Sequence, residues 1–229
     1  MLRSGILTVM SRPVAALLLV SLASSCGLAP APSLPPGDGP GLVAFDADAP
    51  KDAAQWQRPQ WQLGDTFTLL RGGKQRVTFT VAEKDEQGYR LVDDAGNAHE
   101  RSLDLAMRAE FRKGEEAPAH ELTPEDVRFH WPLWVGKSWT CRYADRTAGG
   151  PSLPIETIYV VEDLDRIATP AGAFDALRIV RRSRRCDADG FLDRCNVIWY
   201  APEVGSEVRQ ALGDTVVELV AYSRTDKAD

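Results

Sequence analysis

Histidine is scarce: the 229-residue chain has three, His99, His120 and His130. Nucleophilic catalysis through an imidazole base is confined to these positions, and none lies in a catalytic signature. No G-x-S-x-G elbow occurs, since "VGKSW" around Ser138 lacks the second glycine. H-E-x-x-H, C-x-x-C and Walker A patterns are missing too, "RGGKQ" lacking its upstream glycine. No catalytic residue, metal or cofactor is assigned, and a noncatalytic protein is expected. Positive charge is also in deficit, with 27 Lys+Arg against 33 Asp+Glu. Nucleic-acid affinity draws mostly on neutralising phosphates with basic surface, so nucleic acid is excluded as a partner. Four cysteines are few for this length, so a hydrophobic core must carry the stability. Long apolar runs are lacking as well. "VAALLLVSLA", Val14–Ala23, is about half of the roughly 20 residues a membrane-crossing helix needs.

That run follows Arg3 and Arg12 and leads into "LASSC", Leu22–Cys26, the layout of an export signal. Small residues running into a cysteine resemble the lipobox of bacterial lipoproteins. There a signal peptidase cleaves before the cysteine, whose thiol takes a diacylglycerol with acyl chains such as palmitate. The resemblance implies a signal peptide over residues 1–25, a lipidated Cys26 and a membrane partner reached through that anchor. Retention in the inner membrane goes with Asp after the cysteine; Gly27 implies the outer membrane, with the body facing the periplasm. Met10 would serve equally as the start. Removal of residues 1–25 leaves 25 basic against 33 acidic side chains, a net charge of −8. The envelope is oxidising, and Cys141, Cys186 and Cys195 remain, enough for one disulfide and one free thiol. The near pair Cys186 and Cys195 is the expected bridge, with either pairing to Cys141 the alternative.

Residues 26–44 read as a Pro/Gly-rich tether, "GLAPAPSLPPGDGPGL" burying too little apolar area to fold. Beyond it, sustained 3.6-residue periodicity is missing, and short alternating runs predict strands. "KQRVTFTVAE" sets Val77, Phe79 and Val81 on one face and Thr78 and Thr80 on the other. "DTFTLLR", "GYRLV", "IETIYVVED", "AFDALRIVRR", "CNVIWYA" and "DTVVELVAY" read alike, and "SLDLAMRAEFRKGEE" reads as strand rather than capped helix. "WQLGDTFTLLR" from Trp61 and "WVGKSWTCRY" from Trp134 open similarly, which suggests a diverged internal repeat with a boundary near "ELTPED". The expected fold is mainly β with antiparallel sheets, either two related β modules over 45–128 and 129–225 or one strongly curved sheet.

In the second module, "FHWPLWVGKSWTCRY" is followed by "RIATPAGAFDALRIV", "VIWYAPEVGSEVR" and "VELVAY". These motifs, over about 90 residues, resemble an uncharacterised bacterial envelope family sometimes called TapB-like. The resemblance implies a β-rich extracytoplasmic domain and transfers no catalytic residue. Physically, "TPAGAF" is a chain reversal, expected as a type I turn with a bulge in which Pro170 fixes φ, Gly172 takes positive φ and Phe174 starts the next strand. In "WYAPEVG", Pro202 ends pairing and Gly205 permits a bend.

Candidate binding residues follow from composition. Trp131 and Trp134 flank Pro132 and offer an aromatic patch for an envelope polymer or protein partner, while Trp139 and Trp199 read as core. "RRSRRC" contributes Arg181, Arg182, Arg184 and Arg185, a basic patch that either protects a strand end or binds an anionic envelope polymer. A hydrolase is the alternative, using His130 or the acids Glu162, Asp163 and Asp165 of "VVEDLD". A carrier of apolar ligands or lipid is a third reading, requiring a concave sheet lined by Leu, Val and Trp. In "CDADGFLDRC", Asp187, Asp189 and Asp193 offer a weak calcium alternative. The early Gly190 and nearby arginines favour a hairpin tip closed by Cys186 and Cys195 instead.

Overall fold

The structure, a computed structural model, describes residues 41–44, 48–187 and 196–225. All regular elements among them are strands: β1 (Gly41–Ala44), β2 (Thr66–Arg71), β3 (Gln75–Lys84), β4 (Gly88–Asp93), β5 (Ala98–Ser102), β6 (Met107–Phe111), β7 (His120–Asp126), β8 (Ser138–Thr147), β9 (Ser152–Thr169), β10 (Gly172–Arg185), β11 (Asn196–Ala201), β12 (Ser206–Leu212) and β13 (Thr215–Ser223). From β2 to β13 each strand pairs antiparallel with the next, and β13 returns to β2, closing a twelve-stranded barrel. β1 lies beside the first half of β8, Gly41 opposite Arg142, where β7 has left that edge. The curved-sheet expectation is met by full closure.

Alternation follows the predicted pattern where one face is dry. Val81 is buried, Phe79 and Val77 less so, and Thr78 Oγ1 meets Thr68 Oγ1 across the outer face at 3.1 Å. The outer face also carries Arg90 with Glu100, Arg142 with Glu156 and Arg209 with Glu218. Charge there contrasts with the apolar band of a lipid-facing barrel.

Eight strands make a barrel just wide enough for side chains to fill, so twelve leave more interior than strands alone can occupy. At the base, the end bearing the β3–β4, β5–β6, β7–β8 and β11–β12 connections, chain folds inward to fill it. The β7–β8 connection buries Phe129 and Leu133, and Leu133 exchanges two backbone hydrogen bonds with Trp56, each 2.9 Å. Trp61, Leu105, Val204 and Ala201 complete this plug. Trp139 and Tyr159 stack above it, ring centroids 5.2 Å apart. Each aromatic of this kind hides about 150–250 Å² and contributes at most roughly 4–6 kcal/mol.

The "TPAGAF" reversal is tighter than a bulged turn. Pro170 and Ala171 alone form the loop, Gly172 already pairs with Thr169 at φ 140°, and Ala171 N–H donates to Leu219 O on β13 at 3.1 Å. Phe174 is buried and meets Tyr222 edge-on.

The two similar openings are bonded alike. Gly64 N–H donates to Val81 O and Val81 N–H to Asp65 O, while Gly136 N–H donates to Val161 O and Val161 N–H to Lys137 O. Both glycines have positive φ, 87° and 98°, which side chains rarely adopt. Each opening starts six strands, β2–β7 and β8–β13, of the one barrel. "ELTPED" lies within β7.

Candidate ligand-binding cavity

At the mouth, the end bearing the β2–β3, β4–β5 and β12–β13 turns, a cavity of about 360 Å³ enters the barrel. Its walls come from inward positions two residues apart: Phe67 and Leu69 on β2, Val77 and Phe79 on β3, Leu91 on β4. Met107 and Val217 continue the apolar lining. The hollow has a local cause. On the opposite side the interior holds Trp139, Tyr143, Tyr159 and the Arg181 side chain; here Leu69, Val77, Leu91, Met107, Ala109 and Val217 stand beside Phe67 and Phe79.

The floor is polar. Arg128 Nη1 donates to Glu207 Oε1 at 3.0 Å, and its Nε, with no hydrogen-bond partner, lies 3.9 Å from Asp126 Oδ2. Glu207 also accepts a short bond from Gln210 Nε2. Asp126, 1% exposed, receives Tyr159 OH at 2.6 Å and Arg181 Nη2 at 3.2 Å, and Arg181 reaches the Tyr143 hydroxyl at 2.8 Å. Thr157 links Tyr143 to Ser183 through hydroxyls at 3.2 and 2.9 Å. Burial, then the Asp126 charge, pushes the Tyr159 phenol well above its ordinary value. Arg101 stands apart: its Nη1 makes one long bond, 3.4 Å, to Leu105 O. Burial lowers its pKa, the Glu207 charge acting in the opposite sense.

Titratable groups ring the mouth. His99 sits between Asp93 and Glu110, its nitrogens 3.7 and 3.6 Å from their carboxylates. Its ring holds the Glu110 carboxyl below the usual range. On β7, His120 Nε2 meets Asp145 Oδ1 at 2.8 Å, and that hydrogen bond raises the imidazole pKa.

The residues singled out from sequence are distributed differently. Trp134 is buried under the Lys137 ammonium, 4.2 Å from its ring, and Trp131 stacks on Phe129 with Nε1 bonded to Asp104 O. Lys137 Nζ holds the His130 and Pro132 carbonyls at 2.5 and 2.6 Å, and burial lowers its pKa to about 8. Trp134 is therefore packed into the base, while Trp131 is half-buried and lines a surface pocket with His130 and Pro124. Trp199, expected in the core, lies between Arg178 and Arg209, donating to Asp165.

The basic run is divided by strand alternation. Arg181 turns into the barrel, Arg182 stands opposite Ile158 on the other face, Arg184 meets Glu156 at 2.5 Å, and Arg185 holds Asp187 at 2.9 Å. Glu162, Asp163 and Asp165 gather around Arg178, each 3.6 Å away. His130 lies elsewhere, against Trp139 and Lys137, and burial followed by the Lys137 charge lowers its pKa. The acids and the imidazole do not converge.

Cys26, Asp189, Asp193 and Cys195 lie outside the described residues. Among the described residues Cys141 and Cys186 are free, and no group of three or more His, Cys, Asp or Glu has metal-site geometry. Cys141 is buried with Sγ 3.5 Å from Asp126. The last β10–β11 pair is Arg181 with Asn196, adjacent to Cys195 but five residues from Cys186.

Sequence reasoning missed the residues that define the cavity, Arg101, Arg128, Glu207 and Gln210. The available signal was the coincidence of polar residues at inward positions of β5 and β12, which only the strand pairing reveals.

No family model matches the chain, and no curated protein matches it in sequence. Solved structures to which the chain shows some similarity include the hypothetical lipoprotein YmcC from Escherichia coli K12, at 10% identity and a TM-score of 0.49, covering 71% of this chain and 84% of that one. A candidate lipoprotein from Parabacteroides distasonis ATCC 8503 has 11% identity and a TM-score of 0.42, over 73% and 99% of the two chains. A candidate exported protein with a YmcC-like fold, from Bacteroides fragilis NCTC 9343, has 13% identity and a TM-score of 0.37, over 75% and 100%.

Proposed function

We propose that the chain is a lipid-anchored envelope protein whose barrel is a noncatalytic binding module with the mouth cavity as its site. The observation that carries the reading is the cavity itself: about 360 Å³, with an apolar wall on β2–β4 and charged groups fixed at its floor and rim, a concave site of small-molecule size. Anchoring through Cys26 at the outer membrane, facing the periplasm, is supported by "LASSC" and Gly27. The TapB-like motifs support an extracytoplasmic β domain, and the oxidising envelope supports a Cys186–Cys195 bridge. Of the alternatives, a carrier of apolar ligands agrees best with the Leu, Val and Phe walls. The hydrolase alternative has less support: Glu162, Asp163 and Asp165 are engaged by Arg178, and His130 lies against Trp139 and Lys137.

Native mass spectrometry of the protein purified from its own envelope tests the reading. A bound small molecule is expected, and Val77→Trp, which fills the cavity from its wall, is expected to abolish it. A bare mass in the unsubstituted protein overturns the small-ligand reading in favour of a protein partner. Incorporation of labelled palmitate, lost in Cys26→Ala, tests the anchor separately.

A further inference from the structure

The barrel floor contains three inward guanidinium groups, and two have carboxylate partners. Arg128 meets Glu207 at 3.0 Å and Arg181 meets Asp126 at 3.2 Å. Arg101 has no ion pair among the described residues. Its contacts are the 3.4 Å bond to Leu105 O and the Trp61 ring, 5.9 Å from Cζ. Arg101 is half-buried, and a guanidinium that faces a cavity without a counter-ion is a ready partner for an anion.

The nearby acids are committed elsewhere. Glu207 is held by Arg128 and Gln210, and Glu110 lies beside His99. Asp93 accepts the Ala95 and Asn97 N–H groups and the Asn97 side chain, capping the β4–β5 turn. The Arg101 backbone is also fixed: a Cβ at Gly88 on β4 would stand 1.9 Å from Arg101 O, so the strands approach as closely as glycine allows. Between Arg101 and the mouth, Leu69, Val77, Phe79 and Met107 give one apolar wall, while His99 and Glu110 line the β5–β6 side.

Resting on the reading of this cavity as a ligand site, we infer that its occupant is a small amphiphile with an anionic headgroup, bound head-inward with its carboxylate or phosphate on the Arg101 guanidinium. The planar fork of arginine matches both oxyanions bidentately. The hydrocarbon body lies along the apolar walls, and a volume near the lower end for small-molecule sites limits it to one short chain.

Calorimetry on the full chain carrying Cys26→Ala, which has no acyl group of its own, tests this with decanoate, decanol, decylammonium and inorganic phosphate. Decanoate is expected to bind at least about tenfold tighter than decanol or decylammonium, as one charge-assisted hydrogen-bonded pair provides. Arg101→Gln is expected to erase that margin without weakening decanol, Arg101→Lys to keep part of it, and Val77→Trp to block every probe. Should Arg101→Gln fail to fold, the decanoate-to-decanol ratio in the unsubstituted cavity still decides. Equal binding of decanoate and decanol, both blocked by Val77→Trp, overturns the anionic headgroup and leaves the cavity as an apolar site. Phosphate binding as tightly as decanoate overturns the amphiphile. Failure of all four probes overturns the inference, and only a bare native mass would also overturn the site.

Discussion

Arg181 and Asp126, 55 residues apart, meet inside the barrel with Nη2 3.2 Å from Oδ2, although Arg181 belongs to what the sequence presents as a surface basic run. The pair joins β10 to the end of β7, and Tyr159 OH completes the Asp126 coordination at 2.6 Å. Asp126→Ala leaves a largely buried guanidinium without its counter-ion. A loss of about 3–5 kcal/mol is expected in urea unfolding. A loss below about 1 kcal/mol, the level of an exposed pair, would show that the network does not hold these strands together.

The His120–Asp145 pair sets a pH dependence. Its hydrogen bond raises the folded-state pKa above the ordinary histidine value. The folded protein then binds more protons than the unfolded chain across that interval. This contribution to stability is fully present below about pH 6.5 and is lost as pH rises through the raised value. Asp145→Asn is expected to flatten that slope in denaturation midpoints taken from pH 6 to pH 8; an unchanged slope would assign it to other groups.

Thiol counting separates the cysteines. Burial and then the Asp126 charge push the Cys141 thiol far above its ordinary pKa, so it is expected to resist maleimide in the folded protein and react in denaturant. Without reductant, the unfolded lipoprotein is expected to show one reactive thiol by mass, and three after reduction. Three without reduction would exclude a bridge between Cys186 and Cys195.

Phe174 tests whether "TPAGAF" is a structural motif. The ring is 3% exposed and lies against Tyr222. Phe174→Ala is expected to cost about 3–5 kcal/mol in chemical denaturation. Ligand affinity in the mouth cavity, walled by other strands, should remain unchanged; a selective loss of ligand with stability intact would instead make the turn part of the site.

What the sequence made legible depends on which faces are dry. "VTFTVAE" alternates visibly because Val81 and Phe79 face the barrel and Thr78 and Thr80 do not. "AHERS" and "SEVRQAL" do not read as strands because His99, Arg101, Glu207 and Gln210 point inward, so both faces are polar and the two-residue period vanishes; "ELTPED", read as a boundary, is strand with Asp126 buried. Closure was not legible either, since the β13–β2 pairing joins Val217 to Arg71 across nearly the whole folded chain. Composition suggested an aromatic binding patch at Trp131 and Trp134, yet inward folding of the β7–β8 connection buries Trp134 and leaves Trp131 half-buried. The cavity itself is formed by small side chains opposite large ones, a relation between distant positions that no local window contains.

The matched hydrogen bonds at Gly64 and Gly136 start two halves that supply each other's missing neighbours, β7 beside β8 and β13 beside β2. The ring is filled unequally, with stacked aromatics and a tyrosine-rich network along β8–β10 and a hollow walled by β2–β6, β12 and β13. Rigidity and vacancy are thus allotted to different arcs of one closed ring. Drift in the wall residues Leu69 and Val77 can retune what enters while the opposite arc keeps the ring shut, so that selectivity and folding answer to separate sets of positions.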